Sequence, residues 1–390
     1  MKKPLKITLI SLLSVLGVAI LVPASYVGYV YFSYYRIGNT DLTPIEVTSS
    51  TSVKKSTTYS CSTYNVGFGA YSQDYTFFLD TGYDDNGNAT CGHYSTARSK
   101  EEVLFNIQGA SKTINELGVD FAFFQEVDTN STRSYHVNQN EIINKELNGS
   151  ENNYDNVFCS NFHSAYMMYP LYDMHGASNA GIATYSKYKI NKVQRKEYTI
   201  STSFSKFFDL DRCFSVSTVS VENGKNLYLI NNHMSAYDEG GIIREKQMKE
   251  LYSFAASCYQ NGDYVVIGGD FNHDLITYNP EYNYDETTTR AFNTTKKTPD
   301  WVSYVYEKDG TTPFGNDFTV VGSDNTPTCR NNDIEWEEGK TFTAVVDGFV
   351  VSDNVEIVSH KNIKTKQGKK GIDGFAFSDH DPAYLEFKLK

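Results

Sequence analysis

The run Tyr264-Val265-Val266-Ile267-Gly268-Gly269 is apolar, then small, and it ends in Asp270-Phe271-Asn272. Residues two apart in an extended chain share a face, so Asp270 and Asn272 are expected to project together. One can orient or deprotonate a water; the other can donate to a phosphoryl oxygen as negative charge builds. The glycines allow close backbone approach. Glu126, closing Phe123-Phe124-Gln125-Glu126, is a hard oxygen ligand of the kind Mg²⁺ takes, and equally a residue that meets solvent at a strand end. Asn65, just before Gly67 and Gly69, fits a site residue or a turn. His233 ends the run Leu227-Tyr228-Leu229-Ile230-Asn231-Asn232, and Asp379-His380 stand just before Pro382. Proline cannot donate a ladder hydrogen bond, so the last strand starts at or after it and His380 falls at the mouth of a sheet. Asp347 adds a carboxylate able to hold a histidine ring in one tautomer. His163 and His175 flank an aromatic stretch before Gly181 and are read as shaping a substrate pocket. A lone histidine is usually structural, but two at strand ends among polar residues make a hydrolytic site the better reading.

Something must hold these strand ends together. Ser99–Leu117 reads as a helix, with Ser99 as cap, Glu102 at the capping-box position, and an apolar stripe of Val103, Ile107, Ala110, Ile114 and Leu117. Further helices are expected over 138–147 and 243–258. Strands are expected over 59–68, 119–127, 154–159, 181–185, 213–221, 226–232, 263–268, 343–350 and 382–388. Residues 71–98 read as a long loop. Residues 273–342 read as an elaborated loop or a small inserted subdomain. Adjacent strands with few helices suit an α/β fold of two packed sheets with helices outside.

The N-terminus addresses compartment. Lys2, Lys3 and Lys6 precede an apolar run from Ile7 to Phe32. A helix of about 20 residues crosses a bilayer, and lysines before it with none just after place the rest of the chain outside. Cleavage near Ala24 is the competing reading, but apolarity continues through Phe32, so a single-pass cell-membrane anchor with an extracellular domain is preferred over secretion. Residues 1–37 then form anchor and flank, 38–58 a Ser/Thr-rich linker, and 59–390 one catalytic domain. The six cysteines are scattered with no CxxC; export permits disulfides, yet Cys61, Cys159 and Cys258 sit in apolar segments and fit buried thiols as well. With 35 Lys+Arg against 47 Asp+Glu, the net charge of -12 argues against a broad basic surface for duplex nucleic acid.

The ordered series Asn65, Gln125-Glu126, Asn232-His233, Gly269-Asp270-Phe271-Asn272, Asp347 and Ser378-Asp379-His380 resembles the endonuclease/exonuclease/phosphatase (DNase I-like) superfamily. Asn179 to Ile190 also resembles that group's central segment, with Thr184 at a position normally hydrophobic. The resemblance covers roughly residues 59–390. It implies a four-layer α/β/β/α sandwich with the site at one edge. It implies that Glu126 binds a divalent cation (Mg²⁺, or Mn²⁺ or Ca²⁺), with Asn65 assisting and Asp379 helping a second metal or a water. Asp270 would activate water and Asn272 would hold a phosphoryl oxygen. His233 and His380 would contact the phosphate or stabilise the transition state, with Asp347 orienting His380. No serine nucleophile pattern is present, so direct attack by water is expected.

Three readings of the substrate follow. The first is a phosphodiester or phosphomonoester of a phospholipid head group or other small molecule, which a membrane anchor would keep close. The second is DNA, held by Arg133, Arg195, Arg212, Arg244 and the basic run Lys361–Lys370. The third is a non-catalytic binding protein on the same scaffold. The cell membrane is the one partner expected besides substrate; no protein partner is implied, and a monomer is expected.

Overall fold

The computed structural model describes residues 3–84, 86–149, 153–207, 209–236, 241–276, 301–307, 310–322 and 326–390. An N-terminal helix, α1 (Lys3–Ser33), precedes a sandwich of two sheets. Three more helices cover the sheets: α2 (Lys100–Leu117), α3 (Gln139–Asn148) and α4 (Ile242–Gln260).

Helix α2 starts where its sequence says it should. The Ser99 side chain accepts from the Glu102 backbone N–H, and Gly118 closes the helix in the left-handed conformation. The capping box is half formed, because the Glu102 carboxylate turns to Arg98 and Lys369. Val103, Ile107, Ala110 and Ile114 are buried as a stripe.

One sheet runs Val355–Asn362, Ala383–Leu389, Tyr59–Asn65, Phe121–Asp128, Asn179–Ser186, Asp155–His163. The other runs Thr40–Leu42, Ile190–Glu197, Cys213–Val221, Asn226–His233, Tyr264–Asp270, Asp347–Ser352, Phe318–Val321, with Ser52–Val53 added beside Cys213–Val221. Alternation along the strands builds the layers. Phe121 and Phe123 pack between the sheets against Leu229, Val266 and Phe349, while Ala122 and Phe124 face α2 and α3. Val265 and Ile267 face α4 with Leu251 and Ala255. The order is therefore helix, sheet, sheet, helix: the expected four-layer α/β/β/α sandwich.

Each sheet contains one long parallel pair. Tyr59–Asn65 pairs with Phe121–Asp128 across α2, and Asn226–His233 pairs with Tyr264–Asp270 across α4. A parallel pair needs a crossover, and the two helices supply it. Registers Asn65↔Gln125, His233↔Asp270 and Asp270↔Asp347 bring five of the singled-out strands to a common end. Behind that end, Gln125 Nε2 donates to Asn231 Oδ1 at 2.7 Å, and Asn231 Nδ2 donates to Ala183 O at 2.9 Å. This buried amide bridge fixes one sheet against the other; leaving such a group unpaired costs about 1–3 kcal/mol.

Several elements depart from expectation. The first strand stops at Asn65, because Gly67–Gly69 form a 3-10 turn with Phe68 at φ 39°. The 343–350 run is split: Thr343–Ala344 pair with Cys329–Arg330, and Thr328 Oγ1 takes the Val346 and Asp347 N–H groups before Asp347–Ser352 joins the sheet. The 38–58 segment is laid on the sandwich through Thr40–Leu42 and Ser52–Val53. Within 71–98, Thr81–Tyr83 and Ala89–Cys91 pair as a hairpin. Of 273–342, residues 277–300, 308–309 and 323–325 lie outside the described residues; Phe318–Val321 is an edge strand of the sandwich itself. All six cysteines are free thiols, and only Cys91 is exposed. Cys159 and Cys213, on opposite sheets, have their sulfurs 3.7 Å apart.

Candidate active site

The strand ends open into a cavity of about 860 Å³ lined by Glu126, Asp270, Asn272, Asp379 and His380, with Arg133, Arg212, Arg330 and His175 on its walls. Asn65, His233 and Asp347 stand behind that surface and touch the residues that form it.

Glu126 reaches the cavity because its strand bulges. Its φ is 55°, and pairing with Asn179–Ser186 shifts register between Phe124 and Val127. Regular alternation would send Glu126 toward α2 with Phe124. The bulge re-aims it, and Val127 takes a place on the helix side instead. Asn65 Nδ2 donates to Glu126 Oε1 at 3.3 Å and to Asp270 Oδ2 at 3.0 Å, while Asn65 Oδ1 accepts from Gly67 N at 3.0 Å. Asn65 was expected to assist a metal. Its amide Nδ2 ties two carboxylates together, and its oxygen accepts one bond from the turn and keeps a second lone pair.

Asp270 and Asn272 meet through a turn and not through strand alternation. The strand ends at Asp270, Asn272 has φ 49°, and its backbone N–H donates to Asp270 Oδ1 at 2.8 Å. Asn272 Nδ2 donates to Met234 O at 2.9 Å; an amide carries a second N–H. His380 Nδ1 and Asp347 Oδ2 are 2.7 Å apart, and His380 Nε2 lies 3.9 Å from Asp270 Oδ2. Asp347 thus orients the ring, as the residue types suggested. Asp379 Oδ2 accepts from Asn332 Nδ2 at 2.9 Å and Oδ1 from Ser378 Oγ at 3.2 Å. A Cβ on Gly67 would fall 2.5 Å from Tyr71 Cδ2 and 2.8 Å from Asp379 Oδ1, so a larger residue there would displace one of these side chains.

His233 Nε2 accepts from Arg212 Nη1 at 2.6 Å and lies 3.6 Å from Asp270 Oδ2 and 3.7 Å from Glu126 Oε1, so it stands among the central groups just behind the cavity wall. One expectation is corrected. His163 is not in the cavity; its ring packs on Tyr35 with centroids 4.5 Å apart. His175 does line the wall, bonded through Nδ1 to Ser95 O at 2.8 Å.

The electrostatics separate the two central histidines. Burial, and then Arg212, push His233 well below the usual imidazole range, so it is neutral. Burial would depress His380 as well, but Asp347, Cys329 and Asp379 outweigh it and lift His380 well above that range. Burial, then Asp347, push Asp270 up to about 6 against the pull of His380. Glu126 is raised by burial and then by Asp379, opposed by Arg133, Arg212 and His380. Burial pushes His175 down to about 3.

Arg330 is the residue that reading the sequence missed. It is 1 % exposed and lines the cavity. Its Nη2 donates to Ser72 O and Tyr75 O, yet Nε and Nη1 have no partner. Its only sequence signal was a charge inside a polar stretch beside Cys329. The four arginines considered for a nucleic-acid backbone, Arg133, Arg195, Arg212 and Arg244, are all buried, so they form no exposed basic track. In the Lys361–Lys370 loop, Lys364, Lys369 and Lys370 pair with Glu338, Glu102 and Glu335.

A hard cation suits this donor set. Asp270, Asp347 and His380 offer ligand atoms within 4.8 Å of one another, although the Asp347–His380 bond uses two of those atoms on each other. Glu126 and Asp379 line the same cavity, and Asp379 makes Glu126 harder to ionise, a cost that a cation between carboxylates would remove.

The family model described as Endonuclease/Exonuclease/phosphatase family matches residues 103–380. Among solved structures, an endonuclease/exonuclease/phosphatase family protein from Leptotrichia buccalis superimposes with a TM-score of 0.50 at 16% identity, over 85% of this chain and 100% of that one. An endonuclease/exonuclease/phosphatase from Beutenbergia cavernae gives 0.49 at 10% identity, over 85% and 72%. Truncated TDP2 from Caenorhabditis elegans gives 0.47 at 14% identity, over 86% and 99%. No curated protein sequence matches this chain.

Proposed function

The chain belongs to the Endonuclease/Exonuclease/phosphatase family, a phosphoester-hydrolase family, and from that premise we propose a divalent-metal-dependent hydrolase of a phospholipid or other small phosphoester. The observation that carries this reading is one constellation: the Asp347–His380 pair, 2.7 Å apart, facing Asp270 in a cavity that also holds Glu126 and Asp379.

Phosphoryl transfer asks for a positioned nucleophile and compensation of charge on the phosphoryl oxygens. Asp270 is the base that orients and deprotonates water; Asn272 N and Asn65 Nδ2 fix its two oxygens. His380, kept protonated by Asp347, donates from Nε2 toward the phosphate. Arg330 brings two unpartnered nitrogens, Nε and Nη1, and Arg212 a guanidinium braced by His233 and Met234 O. Glu126 and Asp379 are the residues to hold the cation, with Asn65 positioning Glu126. A bound Mg²⁺ would supply Lewis-acid compensation of the phosphate charge. Lys2, Lys3 and Lys6, ahead of the apolar run from Ile7, support a catalytic domain outside the membrane, tethered by a single span within Lys6–Ser33.

Metal dependence has a readout apart from turnover. A ligand that binds only the folded state raises its stability, by about 2.7 kcal/mol at a hundredfold excess over Kd. Mg²⁺ is therefore expected to raise the melting temperature of the wild-type chain in a dose-dependent way, and to raise that of Glu126→Gln far less. Equal shifts in the two proteins would remove Glu126 from the metal site.

A further inference from the structure

Helix α1 does not leave the sandwich freely. Tyr26 OH donates to Tyr166 O and accepts from Met168 N, both at 3.1 Å, and Tyr29 OH accepts from Tyr166 N at 3.0 Å. Val30 is buried beside these contacts. The segment they hold, Ser164 to Tyr172, contains no charged residue. It displays large apolar side chains to the outside, with Leu171 76 % and Tyr169 67 % exposed.

Depth can be read from the helix. About 20 residues at a rise of about 1.5 Å cross the hydrocarbon core. Counting from Ile7, that length ends near Tyr26, so Tyr26 and Tyr29 fall at the level where aromatic residues mark a membrane interface. The hydrogen bonds carry the loop to the same level. Met167 and Tyr169 also line the cavity that holds Asp270 and His380, so the exposed loop and the catalytic wall are continuous.

We propose that residues 164–172 and the last two turns of α1 form one membrane-contact surface, and that the cavity beside it takes the phosphate of a lipid in the same leaflet. This rests on reading α1 as a membrane span and the cavity as a phosphoester-hydrolase site. Three features favour a bilayer over a protein partner: the tether, the common depth, and a charge-free loop whose Leu and Tyr side chains suit an interface. The net charge of -12 favours zwitterionic over anionic lipid.

The full chain, reconstituted in phosphatidylcholine vesicles, tests this in two arms. In Leu171→Trp, brominated phosphatidylcholine should quench the new fluorescence well beyond the background from Trp301 and Trp336 in wild type. In Leu171→Asp, hydrolysis of soluble bis(4-nitrophenyl) phosphate should stay within about twofold, while phosphoester cleavage in the vesicle lipid falls about tenfold or more, as lost interfacial burial of a leucine requires. No added quenching overturns the membrane contact. Unchanged vesicle cleavage in Leu171→Asp overturns the lipid claim. A blue shift that follows protein concentration and ignores brominated lipid assigns the surface to a second copy, which also overturns the proposal. If wild type cleaves neither ester, the hydrolase reading fails, and the quenching arm still decides the surface.

Discussion

Replacing Asp270 by Asn is expected to lower kcat about a thousandfold, the scale of a positioned general base, and to leave the fold intact. Asparagine keeps the shape and an oxygen to accept from Asn65 or from Asn272 N, but it cannot take a proton. The wild-type rate should fall below about pH 6, because burial and Asp347 hold Asp270 protonated until then. That acid limb should be absent from the residual activity of the variant. Stability should move the other way. The folded state holds the Asp270 proton more tightly than the unfolded chain, whose value is 3.8. Its contribution to stability is full below that value and is lost as pH rises through about 6. At neutral pH the variant should therefore melt no lower than wild type. Loss of activity together with a lower melting temperature would indicate a structural role instead.

The second large effect is expected at Arg330. Arg330→Met should raise KM about tenfold to a hundredfold with a smaller change in kcat, the loss of a charge-assisted contact worth about 1.5–3 kcal/mol. Two of its nitrogens, Nε and Nη1, are unpartnered in a buried position, and such groups are rarely left so without a ligand to meet them. Protection of the folded chain by inorganic phosphate, followed as a melting shift, should be present in wild type and weak in the variant. An unchanged KM with a lowered melting temperature would mean that Arg330 only braces Ser72 and Tyr75.

Reading the sequence located the strand ends because apolar runs stopping at Asp, Asn and His are local facts. The α2 cap, its stripe and most strands were legible for the same reason. What was not legible depends on three-dimensional geometry. The bulge that re-aims Glu126 and the left-handed turn at Asn272 are backbone events that residue types hardly mark. That His233 bonds to Arg212 could not be read from the sequence, because only the packing of Cys213–Val221 against Asn226–His233 brings the two together. Asn65 was assigned by its order in the series, which says nothing about which amide atom faces which neighbour. Arg330 escaped because its partners, Ser72 and Tyr75, lie more than 250 residues away in the chain. The 38–58 segment looked like a tether by composition, yet its backbone hydrogen bonds are made on the sheet.

The central claim is that water, activated at Asp270, cleaves a phosphoester in this cavity. The most direct test supplies the full chain with Mg²⁺ and a panel of soluble and vesicle-borne phosphoesters in heavy-oxygen water, with Asp270→Asn in parallel. Wild type is expected to cleave, with solvent oxygen in the phosphoryl product and none in the released alcohol, and the variant to lose nearly all of this activity. Absence of turnover with every ester and divalent cation, or turnover that Asp270→Asn leaves unchanged, would contradict it.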